Sequence, residues 1–356
     1  MYKNRYFIRQ LQLVFALFAF SSSNASSVVS SQSSTPLNAL SNQAPTMDLV
    51  QNRDFQAPAD NSFKIDFSFV NWPSSMEKAE RDAIRIALSI TGSFEGRESW
   101  SNISDNSDHQ GLSLGLLSQN LGSGTLQPLL LQMRNEHLDI LQRIFSPADL
   151  LALKAMLSDW ESQSFDQVNV QLLDAPIDPV PPEVPNRTTE LDDIMQVLSF
   201  GNSQSVRWAV RNIYASNGEF VPRWKSEFQS LAATPEFTNL QFAEALKMHA
   251  LAKNYVGQLH VHELRSYFMM FDIVDQNGSI YPEDFVDYNK FLNLHPTAPS
   301  TQRLEKILEL RLRHVNSRSI NDVKSRKATI IHGRGIVHGM NRDLEQEFAF
   351  NRTQSF

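Results

Sequence analysis

Apolar residues recur at helical spacing along most of the chain. Between Met76 and about Ile90, Ala83, Ile84, Ala87 and Leu88 fall on one side and Glu, Lys and Arg on the other. This is the i, i+3, i+4 pattern of a half-buried helix. Leu126 to Phe145 continues in the same period through Leu130, Met133, Leu138 and Leu141. Ser146-Pro-Ala-Asp149 opens another helix: serine caps, proline suits the first turn, and Asp149 holds the capping-box position. Leu150, Leu153, Leu157 and Trp160 supply its apolar face. Thr189-Glu-Leu-Asp192 repeats that start before Leu191, Ile194, Met195 and Leu198. Thr234-Pro235 opens a long helix, and Pro299 precedes the stripe Leu304, Ile307, Leu308, Arg311. The pattern predicts a mainly α fold.

Three stretches break the helical period. Phe63-Lys-Ile-Asp-Phe-Ser-Phe-Val70, rich in aromatic and β-branched residues, predicts a short strand or an extended arm packed on the domain. Residues 91–124 hold six of the thirteen glycines, at 92, 96, 111, 115, 122 and 124, among Ser, Asn and Asp. Residues 174–185 carry prolines at 176, 179, 181, 182 and 185, which predicts an extended connection. No internal repeat is evident.

The N-terminus reads differently. Lys3, Arg5 and Arg9 precede the apolar Leu11–Phe20, and Ser23-Asn24-Ala25 offers a small-x-small cleavage site. These are the parts of a signal peptide, residues 1–25, and the apolar run is shorter than the roughly 20 residues of a bilayer span. Nine of the fourteen residues from Ser21 to Ser34 are serine, and polar composition persists to about Asn61. Such a segment cannot bury enough apolar surface to offset its chain entropy, so 26–61 reads as a disordered tether. Residues 62–356 then form the folded domain. A periplasmic or secreted location follows, with no membrane span after cleavage.

Composition adds exclusions. Of 356 residues 41% are hydrophobic, enough for a large core. The absence of cysteine excludes disulfides, Cys-ligated metals and thiolate catalysis. The net charge is −7, and removal of the three cations with the leader makes it −10, which argues against nucleic acid as a partner.

Candidate chemistry concentrates in the glycine-rich stretch. Glu95 sits beside Phe94 just past a predicted helix, and Asp108 follows thirteen residues later in a polar loop that Gly111 and Gly115 let turn back. A carboxyl beside an aromatic ring can keep its proton while one among Asn, Ser and His stays ionised, the division of labour a glycosidase needs. Glu98 and Asp105, each three residues away, are the rivals for those roles.

The run Ser-Phe-Glu95…Asp108-x-Gln-Gly-Leu-Ser113-x-Gly-Leu-Leu…Asn120-x-Gly-x-Gly-Thr-Leu-Gln-Pro-Leu-Leu resembles the catalytic region of lysozyme-like proteins related to the chitosanases of glycoside hydrolase family 46. Phe271-Asp-Ile-Val-Asp-Gln-Asn-Gly-Ser-Ile280 and Gly333-Arg-Gly-Ile-Val-His-Gly339 resemble further segments of these proteins more weakly. The resemblance implies a two-lobed α+β fold with a small β-type hairpin at the cleft. It also implies an inverting mechanism on β-1,4 bonds of an amino-sugar polymer, peptidoglycan or chitosan, without cofactor or metal. Glu95 would be the general acid, Asp108 the general base, and Ser113 would stand where the family uses threonine to hold the water. With Ser113, Asn120, Gln276 and Asn277 are expected to position the water or bind substrate. Two positions differ: His109 replaces a glycine, and Ser118-Gln119 replaces an expected Gln-Trp, so an aromatic platform for sugar is missing. A non-catalytic glycan-binding or envelope-scaffolding protein is the alternative from another class. The lobes are expected around residues 62–145 and in the remainder.

Other patterns carry less. Asp275-Gln-Asn277-Gly278-Ser-Ile280 mimics a calcium loop, but its first and last positions would be Ile273 and Asp284. A turn ending a helix fits better. His260 and His262 lie two apart, which on a helix share no face, and His249 belongs to an apolar stripe. Gly111-Leu-Ser113-Leu-Gly115 matches a nucleophile elbow, which would require a strand before it and a helix after it.

Overall fold

The computed structural model describes residues 63–96, 98–173 and 202–356, without the side chains of 164–173 and of Asn277. The expected signal peptide and tether, the proline-rich connection and the helix expected from Thr189 lie outside the described residues. The fold is mainly helical, as the periodicity predicts. Helix α1, Lys78–Glu95, buries Ala83, Ile84, Ala87 and Leu88 and runs one turn beyond the expected end. Before it, residues 63–76 form an arm rather than a strand, with Phe63, Ile65, Phe67 and Trp72 packed on the core and Trp100 Nε1 donating to Asp66 O at 2.7 Å.

After α1 comes a three-stranded antiparallel sheet of two-residue strands, β1 Ile103–Ser104, β2 Ser113–Leu114 and β3 Gln119–Asn120. Ser104 pairs with Ser113, and Ser113 with Asn120. The single helix expected over 126–145 is two, α2 Gln127–Glu136 and α3 Leu138–Ile144, because His137 leaves helical geometry at φ −136°, ψ 41°. No glycine or proline marks that break.

Helix α4, Pro147–Leu173, starts where expected, with Ser146 Oγ accepting from Asp149 N at 3.2 Å. The rest of the capping box is supplied from elsewhere. Ser146 N donates to Glu227 Oε1 at 2.8 Å, and the Asp149 carboxylate takes Arg223 Nη2 at 2.8 Å. Helix α5 covers 202–212, α6 Pro222–Ala232 and α7 Pro235–Gln258. Thr234 Oγ1 caps α7 by accepting from Phe237 N at 3.2 Å. Then follow α8 Leu264–Asn277, α9 Pro282–Leu294, α10 Ser300–Leu312 and α11 Ile320–His332. A hairpin of β4 Arg334–Val337 and β5 Met340–Asp343 and a short α12, Leu344–Glu347, end the fold.

Two hydrophobic cores result, but not with the expected division near residue 145. One joins α1 to residues 242–348, including Tyr267, Phe268 and Phe271 of α8. The other joins Leu112, Leu114 and Leu121 of the sheet region to α2, α3, the start of α4, α6 and Phe237. The apolar face of α1 packs on α8, far along the chain, instead of on its sequence neighbours. Helix α7, about 36 Å long at 1.5 Å per residue, supplies Phe237 to one core and Phe242 to Val256 to the other. Residues 112–121 likewise contribute to both, so the glycine-rich stretch sits where the cores meet.

Candidate active site

Glu95 is the last residue of α1, and its side chain is 23% exposed beside buried residues of the same turn. Its surroundings are charged rather than aromatic. Arg326 Nη1 donates to Glu95 Oε1, and Ser118 Oγ donates to Oε2 at 3.3 Å. The Phe94 ring is instead covered by the guanidinium groups of Arg326 and Arg342, 5.0 and 5.1 Å from its centroid.

Asp108 lies between β1 and β2 at the end of a three-residue 3-10 turn, Asn106–Asp108. It is exposed, and its Oδ1 accepts from Gln110 N at 3.0 Å. The next residue, His109, has φ 64°, a left-handed turn made without glycine. Asp105 starts the turn, its Oδ1 accepting from Ser107 N at 3.0 Å. Tyr214 buttresses the loop from below by donating to Gly111 O at 2.6 Å. Burial, then the charges of Asp105 and Asp108, push the Tyr214 hydroxyl far above its ordinary value. Asp105, Asn106 and Ser107 line an open cavity of about 620 Å³ with Tyr214 and Arg211. Nothing in the sequence distinguishes Tyr214 from a core aromatic.

The remaining expected residues divide. Ser113 is buried on the central strand, and the chain after it turns through Gly115 instead of entering a helix, so no nucleophile elbow forms. Asn120 is hydrogen-bonded within its own turn. Its Oδ1 accepts from Ser123 N at 2.8 Å and Ser123 Oγ at 2.7 Å, and its Nδ2 donates to Ser118 O at 3.2 Å. An asparagine so occupied shapes its own turn. Gln276 is also engaged, donating to Asp322 Oδ2 and accepting from Lys327 Nζ, both at 2.7 Å. The side chain of Asn277 lies outside the described residues. Glu98 is exposed and accepts from Gln229 Nε2 at 2.5 Å. Residues 275–280 end α8 at Gly278, φ 79°, as a helix-terminating turn. His249 is the expected core histidine, between Tyr267 Oη at 2.8 Å and Glu80 Oε1 at 3.0 Å, and burial lowers its pKa.

Gln241 of α7 is a residue the sequence did not flag. Fully buried, it accepts from Leu116 N at 2.9 Å and donates to Trp100 O at 3.2 Å, fastening the β2–β3 turn to the segment that leaves α1. A Cβ on Gly115, whose φ is 89°, would run into the Gln241 amide. Gly115→Ala should therefore destabilise the fold by about 2–4 kcal/mol, from left-handed strain plus the displaced hydrogen bonds. Urea unfolding checks this, and a loss under 1 kcal/mol would contradict it.

Behind Glu95 lies a buried ion cluster. Helix α8 is apolar on nearly every side, with Tyr267 to Phe271, Ile273 and Val274 buried. A carboxylate on such a helix needs partners. Asp272, fully buried, takes Arg326 Nη2 at 2.7 Å and Lys327 Nζ at 2.9 Å. Although burial alone would raise it, these two cations hold the Asp272 carboxyl below its usual range. Burial in turn pushes the Lys327 ammonium down, against the pull of Asp272. His338, at the tip of the β4–β5 hairpin, adds a 2.6 Å contact to Asp322.

Among the described residues, no group of three or more His, Asp or Glu is placed to hold a metal ion, and no helix is long and apolar enough to cross a membrane. The chain matches no protein-family model and no curated protein.

Proposed function

We propose that this protein is an exported, inverting glycoside hydrolase of the two-lobed lysozyme and chitosanase type, acting on β-1,4 bonds of an amino-sugar polymer. The observation that carries the reading is the pairing of local structure with motif. Glu95 ends a buried helix with its carboxyl still reachable by solvent, and Asp108 is exposed in the first turn of the small sheet that follows. Glu95 would protonate the leaving glycosidic oxygen as the C–O bond breaks. Asp108 would take a proton from the water that attacks the anomeric carbon on the opposite face. Neither step calls on a metal or cofactor.

Export rests on the leader-like N-terminus, which favours peptidoglycan as the polymer. The mature charge of −10 favours polycationic chitosan by long-range attraction. Incubation of the mature protein and of Glu95→Gln with chitosan oligomers and with purified sacculi, followed by new reducing ends, decides among the readings. Release by wild type alone supports the assignment. Equal release by both proteins removes Glu95 from the mechanism. Binding without release from either polymer makes the protein a glycan-binding or scaffolding protein, the reading that His109 and the missing aromatic at Ser118-Gln119 favour.

A further inference from the structure

The cavity beside the candidate base has no part in the mechanism above. One wall is the β1–β2 loop, where Asp105, Asn106 and Ser107 lead directly into Asp108. The other is the end of α5, with Val210 and Arg211, and the turn after it, with Tyr214 and Ser216. At about 620 Å³ the cavity falls within the range of small-ligand sites. Its walls are fixed against each other. Tyr214 Oη donates across to Gly111 O at 2.6 Å, and Gly111, φ 81°, lets α5 approach so closely that a Cβ there would stand 3.1 Å from Val206 Cα. Ala215 N donates to Glu219 O at 2.8 Å and Gly218 N to Ala215 O at 2.9 Å, which holds the turn.

The lining decides what kind of group fits. Arg211 makes no hydrogen bond or ion pair among the described residues, although Asp105 lines the same cavity. Asp105 is committed to its own turn by accepting from Ser107 N at 3.0 Å. The C-terminal end of α5 favours a cation, so Arg211 keeps its charge there without a carboxylate of its own. An arginine without a partner in a formed cavity suits a carboxylate ligand, which its planar fork can hold by two hydrogen bonds. Beside it Val210, 47% exposed, offers an aliphatic surface. A sugar ring finds no platform here: Tyr214, the aromatic residue of the lining, is 8% exposed, and its ring lies 4.8 Å from that of Phe220. A glucosamine unit of chitosan would bring an ammonium, which Arg211 repels. Carboxylates joined to short aliphatic side chains are what the peptide arm of peptidoglycan carries.

We propose that this cavity is the subsite for the peptide arm of peptidoglycan, with Arg211 taking a carboxylate of the arm and Val210 its aliphatic portion. Ser107 lines the cavity and Asp108 is its neighbour in the same three-residue turn, so a side branch of a sugar held at Asp108 starts at the cavity's edge. The proposal deepens the hydrolase reading and rests on it for the sugar at Asp108, while naming the polymer by its peptide. The net charge that favours chitosan at long range is overruled at this wall by a local cation.

Calorimetric titration of the mature protein with soluble disaccharide-peptide fragments of sacculi tests it, with amidase-stripped glycan strands and chitosan oligomers as the other arms. Arg211→Ala should weaken binding of the disaccharide-peptide about 10-fold or more, and Arg211→Lys, which keeps the charge, should recover part of the loss. Val210→Asp, which sets an acid beside the arginine, should weaken the same binding independently. Both residues are exposed, so these variants should melt with wild type. Chitosan oligomers should bind Arg211→Ala no more weakly than wild type. Stripped strands, whose carboxylate sits on the sugar's lactyl ether, should bind wild type more weakly than the disaccharide-peptide does. Equal, Arg211-dependent binding of the stripped strands moves the carboxylate from peptide to sugar and overturns the proposal, as does disaccharide-peptide binding that Arg211→Ala leaves unchanged. Arg211-dependent binding in a protein that cleaves neither polymer keeps the subsite and removes the hydrolase reading. Cleavage of sacculi without Arg211-dependent binding keeps the hydrolase reading and removes the subsite, and cleavage of chitosan alone removes it too.

Discussion

Arg326→Met should lower the stability of the fold by about 3–5 kcal/mol and its melting temperature by about 6–15 °C. The guanidinium is buried and serves three neighbours: Nη1 goes to Glu95, Nη2 to Asp272 at 2.7 Å, and its plane covers the Phe94 ring at 5.0 Å. Methionine replaces the volume but leaves Asp272 with Lys327 alone and Glu95 with Ser118. Breaking one side of a buried ion pair costs more than the pair itself contributes, because the remaining charge has lost its solvent and its partner. The corollary separates this account from simple loss of packing. Adding Asp272→Leu and Lys327→Met should recover most of the deficit, since the buried Asp272 and Lys327 charges are then gone and Glu95, 23% exposed, keeps its contact with solvent. Arg326→Lys should fall between, keeping the charge but not the fork that reaches two carboxylates at once. Thermal and urea unfolding of the four proteins gives the comparison, and a triple variant weaker than Arg326→Met would contradict the electrostatic explanation.

That cluster also marks the limit of what the sequence discloses. Local signals were legible where their partners are local. Ser146 and Thr234 cap the helices they precede, and the stripe at 83–88 is the buried face of α1. The end of α8 at Gly278 follows from a backbone requirement written into one residue. Arg326 and Glu95, by contrast, stand 231 positions apart, and nothing near either names the other. The hint that was present is the apolar run Tyr267–Val274 interrupted by Asp272, since a helix buried all round obliges its acid to find cations. Asn120 and Gln276 carried the opposite ambiguity. An amide suited to a sugar hydroxyl is equally suited to a neighbouring backbone or lysine, and each is committed to such a partner here. How the chain divides between the two cores escaped the sequence because a helical stripe reports that a face is buried, not what covers it. The covering element for α1 is α8, which comes after the whole of the other core.

Asp108→Asn should separate chemistry from stability more cleanly than any other change. The side chain is exposed and its one hydrogen bond among the described residues, Oδ1 accepting from Gln110 N at 3.0 Å, survives in the amide. Stability should stay within about 0.5 kcal/mol of wild type. A base that can no longer accept a proton should lower kcat on the cleaved polymer by about 10²–10⁴-fold with KM little changed. Glu95→Gln should show a kinetic loss of the same order, but there the substitution also turns a charged hydrogen bond from Arg326 into a neutral one. Its melting temperature should therefore fall while that of Asp108→Asn does not. Asp105→Asn is the control, because that carboxylate caps the same turn through Ser107 N and has no assigned part in proton transfer. The first product sampled by NMR before mutarotation should be the α anomer, since direct attack by water on a β bond inverts the centre. A β anomer would require a carboxylate nucleophile, and Asp108 would then act by attacking carbon rather than by accepting a proton from water. An Asp108→Asn protein as active as wild type would remove the base altogether and shift the search to the exposed Asp105 on the same turn.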